Sequence, residues 1–476
     1  MKKNHIISVL SLLTIILVVL SLIFMQFPFM GHDYYYYIGL SHDYHFAWKN
    51  FGVFNILFTP QRCSGVPVWS NPISMNFSLF HGLSIFLKDI NVIVAYCSIV
   101  LTASYFGTKK FLSLFKLSEP WNTYVTIAWC LQGYITARAI VGHISFINIG
   151  LWPFYVYLLI KKNDSTKKNL LTLILFAFAN THEFYIANIY LFVMFHIAFI
   201  IFLMIAQLNR LEIDYKWILK RFFMSSILTS FLILPKVLAG MQLIRNFQRN
   251  SSFFHVDLID SLNYIMMNLV TPLPLDYQKM TGWGIGNWES VSYIFPFLLP
   301  VLLCKAALEL KKYSRILISL FGLILLGVLI VHGSYAEIIK TWPVIKSFHV
   351  NPRWIPVINL GLLTITILFL KEAQFKTWTA YLFTIIVVAI PFTFIGQSYF
   401  GVNYIYRAGL DTIRNRQTYC YEPVFGYRHE LLPIKELKGK YFDPRCFVSR
   451  NKCKDVSLKP ELYQKLESYS LEPFPE

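Results

Sequence analysis

Uncharged apolar stretches, each long enough to cross a lipid bilayer, recur along most of this 476-residue chain. A spanning helix needs about twenty apolar residues, because it rises about 1.5 Å per residue through a hydrocarbon core about 30 Å thick. Within lipid a helix satisfies its own backbone polar groups, so helices are the expected spanning elements. Only 14% of the residues are charged, against about a quarter in a typical soluble domain. The sequence therefore predicts an α-helical polytopic membrane protein.

The apolar stretches predict about eleven transmembrane helices. They lie near residues 6–30, 90–108, 121–137, 144–160, 168–181, 184–206, 221–236, 291–308, 316–332, 354–370 and 377–396. Lys and Arg cluster in alternate connections between them, as the positive-inside rule predicts for cytoplasmic loops. Membrane orientation therefore accounts for the net charge of +18, and nucleic-acid binding does not. We expect a cytoplasmic N-terminus followed by a retained first helix, because its apolar run is too long for a signal peptide.

This alternation divides the chain into a transmembrane domain, residues 1–396, and a small extracytoplasmic C-terminal domain, residues 397–476. Long outer loops are predicted at 31–89 and 236–290, and polar and aromatic residues concentrate on that outer face. The tail lacks an apolar stretch and contains turn signals such as "FDPRC". We expect the protein to lie in the cytoplasmic (inner) membrane.

The cysteines fall into two groups. Cys97, Cys130 and Cys304 lie in predicted helices and are expected to fill the core. The other four, which are Cys63, Cys420, Cys446 and Cys453, are expected in an oxidising compartment. Cys446 and Cys453 are close enough in sequence to form a disulfide. A zinc site is the alternative, but no C-x-x-C pair or histidine cluster accompanies them.

Carboxylates and aromatic rings follow the first helix directly, in "GHDYYYYIGLSHDYHFAW" at residues 31–48. Asp33 and Asp43 each follow a histidine, and His32 and the tyrosines surround Asp33. A carboxylate partly buried among rings has a raised pKa and is a better general base. A solvated helix cap and an interfacial aromatic belt are the alternative interpretations.

Two further outer-face motifs contain candidate binding residues. In "THEFYIANIY" the second histidine of a zinc-protease motif is replaced by Ile186, so His182 and Glu183 are interpreted as binding sugar hydroxyls or a divalent cation, or as capping a helix. "GWGIGNW" lacks the strand–turn–helix context of a nucleotide loop. It is interpreted as a loop over the site that offers Trp288 and Glu289 to a sugar.

The order of these motifs resembles that of the GT-C multi-spanning glycosyltransferases. The pattern is closest to bacterial membrane proteins that add sugars to teichoic acids and related envelope polymers. The segments that carry the resemblance are "GHDYYYY", "FTPQRCSGVPVWSNP", "ARAIVGHISFINIGLWPFYVYLL", "NWESVSYIFPFLLP" and "WPVIKSFHVNPRW". They span roughly residues 20–370, with Phe295 where the family has a small residue and His349 at the first basic position of the last segment.

The resemblance implies transfer of a sugar from a polyprenyl-phosphate donor to an acceptor hydroxyl on an envelope glycan or lipid. Asp33 would be the general base. The donor phosphate would be bound by Arg353, His143, Lys236 and Arg245, with snorkelling to lipid headgroups as the alternative for the last two. The sugar and acceptor would be bound by His32, Asp43, His182, Glu183, Trp288 and Glu289. No metal site or cofactor is assigned, although a divalent cation is compatible with the reaction.

Two other functions remain open from the sequence. One is a polysaccharide or lipid transporter or flippase, for which ionisable residues deep within several helices would be expected. The other is a non-catalytic envelope-assembly protein of the same fold.

Overall fold

The computed structural model describes residues 2–24, 34–52, 69, 74–246, 256–270, 292–295, 298–333, 351–373, 375–393, 419–420 and 432–433. Within them the fold is a bundle of α-helices. These are α1 (Lys2–Phe24), α2 (Tyr34–Phe51), α3 (Leu79–Phe86), α4 (Asp89–Ser113), α5 (Trp121–Cys130), α6 (Gly133–Val141), α7 (Trp152–Ile160), α8 (Thr166–Leu208), α9 (Tyr215–Asn246), α10 (Leu258–Val270), α11 (Leu298–Leu308), α12 (Leu310–His332), α13 (Pro356–Ala373) and α14 (Thr377–Thr393). Two 3-10 helices, Ile144–Leu151 and Asn351–Trp354, precede α7 and α13.

Six of the described helices contain segments long and apolar enough to cross a membrane. The segments are Ile6–Phe24, Ile90–Ser113, Ile189–Leu208, Tyr215–Met241, Leu310–His332 and Pro356–Ala373. Large apolar side chains point outward from several of them, such as Leu17, Phe231 and Phe321, which are 62%, 70% and 69% exposed. Apolar side chains on an outer surface are stable in lipid and unfavourable in water. The chain is an α-helical membrane protein; the expected number of eleven spans stays a prediction.

α8 is helical throughout, but contacts between its two halves require the chain to reverse direction within it. Asn180 Nδ2 lies 3.5 Å from His196 Nε2, and the rings of Phe176 and Phe195 are 6.0 Å apart. On a straight helix the members of these pairs would be about 24 Å and 28 Å apart, at about 1.5 Å per residue. The two arms of α8 therefore lie side by side and form a hairpin.

The predicted reversal of the chain is present, but its predicted position at residues 181–183 is wrong, because these residues are helical. The reversal lies midway between the paired residues of the two arms, a few residues further along the chain. The sequence placed the turn at the polar "NTHE" run, but three of its residues have partners within the folded bundle. Thr181 donates to the carbonyl of Ala177, His182 accepts from Leu79, and Glu183 accepts from Trp152 and Tyr155. We call the segment Thr181–Tyr190, which contains the reversal, the α8 tip.

A second departure is the break between α5 and α6, which the sequence predicted as one helix over 121–137. α5 ends after ten residues, about 15 Å along a spanning path at about 1.5 Å per residue. The backbone N–H of Gly133 then donates to the carbonyl of Tyr293 (2.7 Å). This distant carbonyl replaces a partner that the interrupted helix does not provide. At the same break, Asn359 Nδ2 donates to the side-chain oxygen Oε1 of Gln132 (2.7 Å).

The predicted helix over 144–160 also divides into two parts. Residues Ile144–Leu151 form a 3-10 helix, and α7 follows it with Pro153 in the first turn. Pro tolerates that position because the first N–H groups of a helix have no intrahelical partner. A Cβ on Gly150 would lie 2.5 Å from Ser104 Oγ, and one on Gly107 would lie 2.4 Å from Phe154 Cβ. Glycine at these points lets α4 pack directly against the segment that carries the candidate site.

The predicted outer loops contain helices. Residues 31–89 include α2 and α3, and residues 236–290 include the end of α9 and all of α10. The predicted start of the second loop at residue 236 was therefore wrong, because α9 continues to Asn246.

The basic connections lie together at one end of the described bundle. The contacts that join them are Lys109 Nζ to Ser8 Oγ (2.8 Å), Lys162 Nζ to Asp214 Oδ2 (3.5 Å), Arg221 Nη1 to Lys161 O (2.6 Å) and Lys312 Nζ to Glu372 O (3.3 Å). Trp121 and Phe375 link two of these groups through rings 5.7 Å apart. We call this the basic end, and the end that holds α3 and the α8 tip the opposite end.

Topology can be tested with single cysteines in a cysteine-free background. Phe86→Cys at the opposite end should react with a membrane-impermeant maleimide in whole cells. Lys167→Cys at the basic end should react only after permeabilisation, because basic loops stay in the cytoplasm. A reporter fused to the C-terminus should be extracytoplasmic. Equal labelling of both cysteines in intact cells would overturn the orientation.

The predicted C-terminal domain lies almost wholly outside the described residues. The described part is an antiparallel pair of short strands, β1 (Tyr419–Cys420) and β2 (Leu432–Pro433). The expected disulfide between Cys446 and Cys453 also lies outside them. Cys97 and Cys130 are buried, as predicted, whereas Cys304 is exposed on α11, so its assignment to the core was wrong.

Candidate functional site

Arg138 lies fully buried on α6 and contacts His143 five residues later. Its Nη1 is 2.7 Å from His143 Nδ1, and its guanidinium carbon lies 4.8 Å and 5.1 Å from the ring centroids of Tyr134 and Phe146. Aromatic faces attract a guanidinium because their quadrupole is negative above the ring. The buried guanidinium of Arg138 is therefore held close to the turn that Gly142 and His143 form at the end of α6.

Three segments that are distant in sequence meet around α6. The hydroxyl of Tyr34, the residue after Asp33, donates to the carbonyl of Ala139. The hydroxyl of Tyr134 donates to the carbonyl of Arg353 (3.3 Å). The start of α2, the 3-10 helix before α13 and the Arg138–His143 pair are thus attached to the same short helix.

Two predicted phosphate ligands therefore lie near α6, but one of them has a different character. His143 Nδ1 accepts from Arg138, because a guanidinium carries donors only. His143 is thus in contact with a second basic residue, Arg138, and its assignment to phosphate binding stays a prediction. Arg353 is partly buried, and its backbone is held by Tyr134.

Glu183 lies at the α8 tip and is completely buried. Its Oε1 accepts from Trp152 Nε1 (3.1 Å) and its Oε2 accepts from the hydroxyl of Tyr155 (3.2 Å). Burial raises the pKa of this carboxyl to about 7, an effect partly offset by the two hydrogen bonds. Both oxygens are thus occupied within the protein, which contradicts the expectation that Glu183 faces an outer cavity to bind sugar or a cation.

Lys236 and His182 hold the segment that precedes α3. Lys236 Nζ donates to the carbonyl (2.7 Å) and hydroxyl (3.0 Å) oxygens of Ser74, and its side chain is only 3% exposed. His182 Nε2 accepts from the backbone N–H of Leu79 (3.2 Å). Lys236 therefore neither snorkels to headgroups nor belongs to the group around Arg138, and His182 has a backbone partner.

The same segment, residues 74–79, is held at two more places. Tyr44 donates to Asn76 Oδ1 (2.5 Å), and His81 Nδ1 accepts from the N–H of Phe77 (3.2 Å). Phe77 has φ of +57° and a ring that is 45% exposed. A bulky residue in the left-handed region persists only where the surroundings fix it. We call residues 74–79 the clamped segment.

Burial lowers the pKa of both histidines that accept backbone N–H groups here. The pKa of His81 is lowered to about 4, and that of His182 to about 4. Desolvation disfavours the charged imidazolium, so both rings are neutral at physiological pH and can accept through a bare nitrogen.

The side chains of six predicted site residues lie outside the described part of the structure. His32, Asp33, Trp288 and Glu289 lie outside the described residues, and the side chains of Asp43 and Arg245 are not described although their backbones are helical. Within the described residues, no group of three or more His, Cys, Asp or Glu side chains could hold a metal ion.

No role was predicted for Arg138 from the sequence. A signal was present: an arginine and a histidine five residues apart, separated by Gly142, in "RAIVGH". Gly142 has φ of +99° and ends α6 in the left-handed conformation, which brings position 143 back over position 138.

These features define the protein as an α-helical membrane protein whose helix bundle buries ionisable side chains toward the opposite end. No protein-family model, curated protein or solved structure matches the chain.

Proposed function

We propose that this protein is a membrane glycosyltransferase. It moves a sugar from a polyprenyl-phosphate-linked donor to an acceptor hydroxyl of a cell-envelope glycan or lipid, at the outer face of the cytoplasmic membrane. The observation that carries the proposal is the meeting, on α6, of the residue after Asp33, the Arg138–His143 pair and the backbone of Arg353. Of the residues at or next to this meeting point, the resemblance to GT-C glycosyltransferases assigns Asp33 as the base and His143 and Arg353 to phosphate binding, and we add Arg138 to them.

The chemistry needs a base and a positive field close to each other. The acceptor oxygen attacks the anomeric carbon while Asp33 takes its proton. The bond from the anomeric carbon to the phosphate oxygen breaks, its electron pair stays on that oxygen, and polyprenyl phosphate leaves. Arg138 and Arg353 stabilise the negative charge that develops there. A single general base leads to inversion at the anomeric carbon.

The location supports the same proposal. α6 follows the break after α5 and lies on the side of it away from the basic end, where Trp121 at the start of α5 packs against Phe375. The donor phosphate of a lipid lies at the membrane surface, so its binding groups belong near one end of the bundle. In the proposed orientation that end faces outward.

The proposal is tested by reconstituting the purified protein in liposomes with radiolabelled polyprenyl-phosphate sugars and envelope glycan acceptors. Covalent transfer of label to an acceptor supports it. Binding of donor without transfer, across a panel of sugars and acceptors, would contradict it.

A flippase is the second candidate, and the helix break favours it. Gln132, Ser292 and Asn359 form a buried polar group at the break, through contacts of 2.7 Å and 3.4 Å. Broken helices with polar neighbours line substrate paths in many transporters. Arg138, Glu183 and Lys236 are also buried, although they lie at or beyond the ends of the predicted transmembrane helices. Movement of a fluorescent polyprenyl phosphate between leaflets, without covalent transfer, would identify this function.

Arg353→Ala is expected to weaken donor binding. The change removes a charge-assisted contact to phosphate, and such contacts contribute about 1.5–3 kcal/mol each, or roughly 10- to 150-fold in affinity. KM for the donor should rise in the liposome assay. Arg315→Ala is the matched control, because Arg315 is exposed on α12 at the basic end. An equal rise in KM in both variants would show a general charge effect.

A further inference from the structure

Arg221, near the start of α9, is a buried cation at the basic end whose contacts are all with neutral groups. Its Nη1 donates to the carbonyl of Lys161 (2.6 Å), and its Nη2 donates to the carbonyl of Asn169 (3.4 Å) and to the hydroxyl of Thr172. The residue is only 3% exposed. A buried charge is costly unless an opposite charge or hydrogen bonds offset it. Among the described residues no carboxylate contacts this guanidinium, so no described acid balances its charge.

Two N–H groups at this place have no acceptor. Arg221 Nε and Trp217 Nε1 are both buried, and neither has a hydrogen-bond partner in the part of the chain that the structure describes. The two residues are one turn apart on α9, and the guanidinium carbon of Arg221 lies 5.2 Å from the centre of the Trp217 ring. Buried donors are almost always paired, so two neighbouring donors without an acceptor indicate a ligand that accepts hydrogen bonds. We call this place, where Arg221 and Trp217 meet the start of α8, the α8–α9 seam.

A second cation lies against the same ring and closes the seam from outside. Lys162 Nζ is 5.6 Å from the centre of the Trp217 ring and 3.5 Å from Asp214 Oδ2. Asp214 Oδ1 also accepts from the backbone N–H of Trp217 (3.0 Å), so this acid caps the start of α9. The side chain of Lys162 is 66% exposed. It is therefore free to rotate away from the ring, which opens the seam to a ligand from the surface.

The surface around the seam is positively charged and borders an apolar one. Residues 161–168 contain four lysines and one aspartate, and residues 210–221 contain four basic and two acidic residues. Lys220 is exposed on α9, and so are Leu219 (55%) and Phe223 (65%). A phospholipid has the same order of groups, because its charged headgroup lies above its acyl chains.

We propose that the α8–α9 seam binds the headgroup of an anionic membrane phospholipid. The phosphate oxygens accept from Arg221 Nε and Trp217 Nε1, while Lys162 and Lys220 contact the headgroup from the surface. The acyl chains lie along the apolar part of α9 beside Phe223. In the predicted orientation this end of the bundle meets the cytoplasmic leaflet, which carries anionic lipids. This binding is separate from the proposed sugar transfer, and either can fail without the other.

Binding is measured on the purified full-length protein in detergent by native mass spectrometry. Phosphatidylglycerol is the anionic probe, and phosphatidylcholine of the same chain length is the neutral one. We expect saturable binding of phosphatidylglycerol and a raised unfolding temperature, because a ligand that binds only the folded state stabilises it. Equal binding of the two lipids would overturn the proposal. An equal rise in unfolding temperature with inorganic phosphate at the same concentration would show an anion site and overturn the lipid assignment.

Trp217→Phe tests the buried donor, because it removes one N–H and keeps an aromatic ring against both cations. The affinity for phosphatidylglycerol should fall roughly 10-fold or more, since the lost hydrogen bond is to a charged group. In the absence of lipid the variant should unfold at the temperature of the wild type, because Nε1 has no partner to lose among the described residues. An unchanged affinity would contradict binding at the seam.

A pair of lysine variants tests the same site without changing its buried groups. Lys162→Gln combined with Lys220→Gln should lower the affinity roughly 5-fold for each lysine. Lys311→Gln combined with Lys371→Gln is the matched control, because it removes the same charge from exposed positions on α12 and α13 at the basic end. The control pair should keep the wild-type affinity. Equal losses in the two pairs would show attraction by the whole basic end and would overturn a defined site.

Discussion

Asp33→Asn is expected to lower the turnover of sugar transfer by about 100- to 10,000-fold, the usual effect of removing a general base. Asparagine is nearly the same size and can still accept hydrogen bonds, but its amide cannot take the acceptor proton. Folding and donor binding should be retained, because Tyr34, the next residue, keeps its own hydrogen bond to Ala139. The measurement is the initial rate of transfer in liposomes at saturating donor.

Asp43→Asn provides the comparison, because the chain presents a second His-Asp-Tyr sequence ten residues later. Asp43 is a candidate acceptor-binding residue, so its amide variant should raise KM for the acceptor more than it lowers turnover. Both proteins must elute at the position of the wild type. Undiminished turnover in Asp33→Asn would remove Asp33 from the mechanism and make Asp43 the next candidate.

Glu183→Ala is expected to destabilise the protein by about 2–5 kcal/mol. The change leaves the N–H of Trp152 and the hydroxyl of Tyr155 buried without their acceptor, which costs about 1–3 kcal/mol each. It also opens a small cavity beneath the α8 tip. The change should appear as a lower unfolding temperature in detergent. Glu212→Ala, at an exposed position, should leave that temperature unchanged.

Glu183→Gln separates hydrogen bonding from charge. The glutamine oxygen can accept from Trp152, and its amide can donate to the hydroxyl of Tyr155, so we expect a change below about 1 kcal/mol. Because burial raises the pKa of Glu183 to about 7, the folded state retains its proton over a range where the unfolded chain has lost it. The wild type should therefore lose stability relative to Glu183→Gln as pH rises from about 4.5 to 7. A constant difference across this range would contradict the raised pKa.

Apolar length and the placement of basic residues were enough to predict the class of fold. The basic connections that the sequence assigned to one side do lie together, as the contact of Lys109 with Ser8 illustrates. The interruption between α5 and α6 was not predictable in this way. Leu131 and Gln132 continue an acceptable helical pattern, and the break depends on Tyr293 and Asn359, which lie far away in sequence.

Several residues of the candidate site were identified from the sequence, but the contacts between them were not. His143 was identified from its motif, yet its contact with the guanidinium of Arg138 depends on a side-chain direction that cannot be read from composition. Glu183 was identified as an unusual outer-face acid, but its partners Trp152 and Tyr155 became visible only in the packed structure. Lys236 was predicted to meet lipid or substrate phosphate and instead binds Ser74. Sequence patterns indicate which residues are unusual, while long-range contacts decide what each of them touches.

The α8 tip makes two attachments with consecutive residues. His182 holds the clamped segment through the N–H of Leu79, and Glu183 holds α7 through Trp152 and Tyr155. Neighbouring residues on a helix point about 100° apart, and no flexible linker separates them. The clamped segment and α7 are therefore fixed at adjacent points of the same helical turn. The α8 tip is therefore a single point of attachment for two parts of the opposite end that are more than seventy residues apart in sequence.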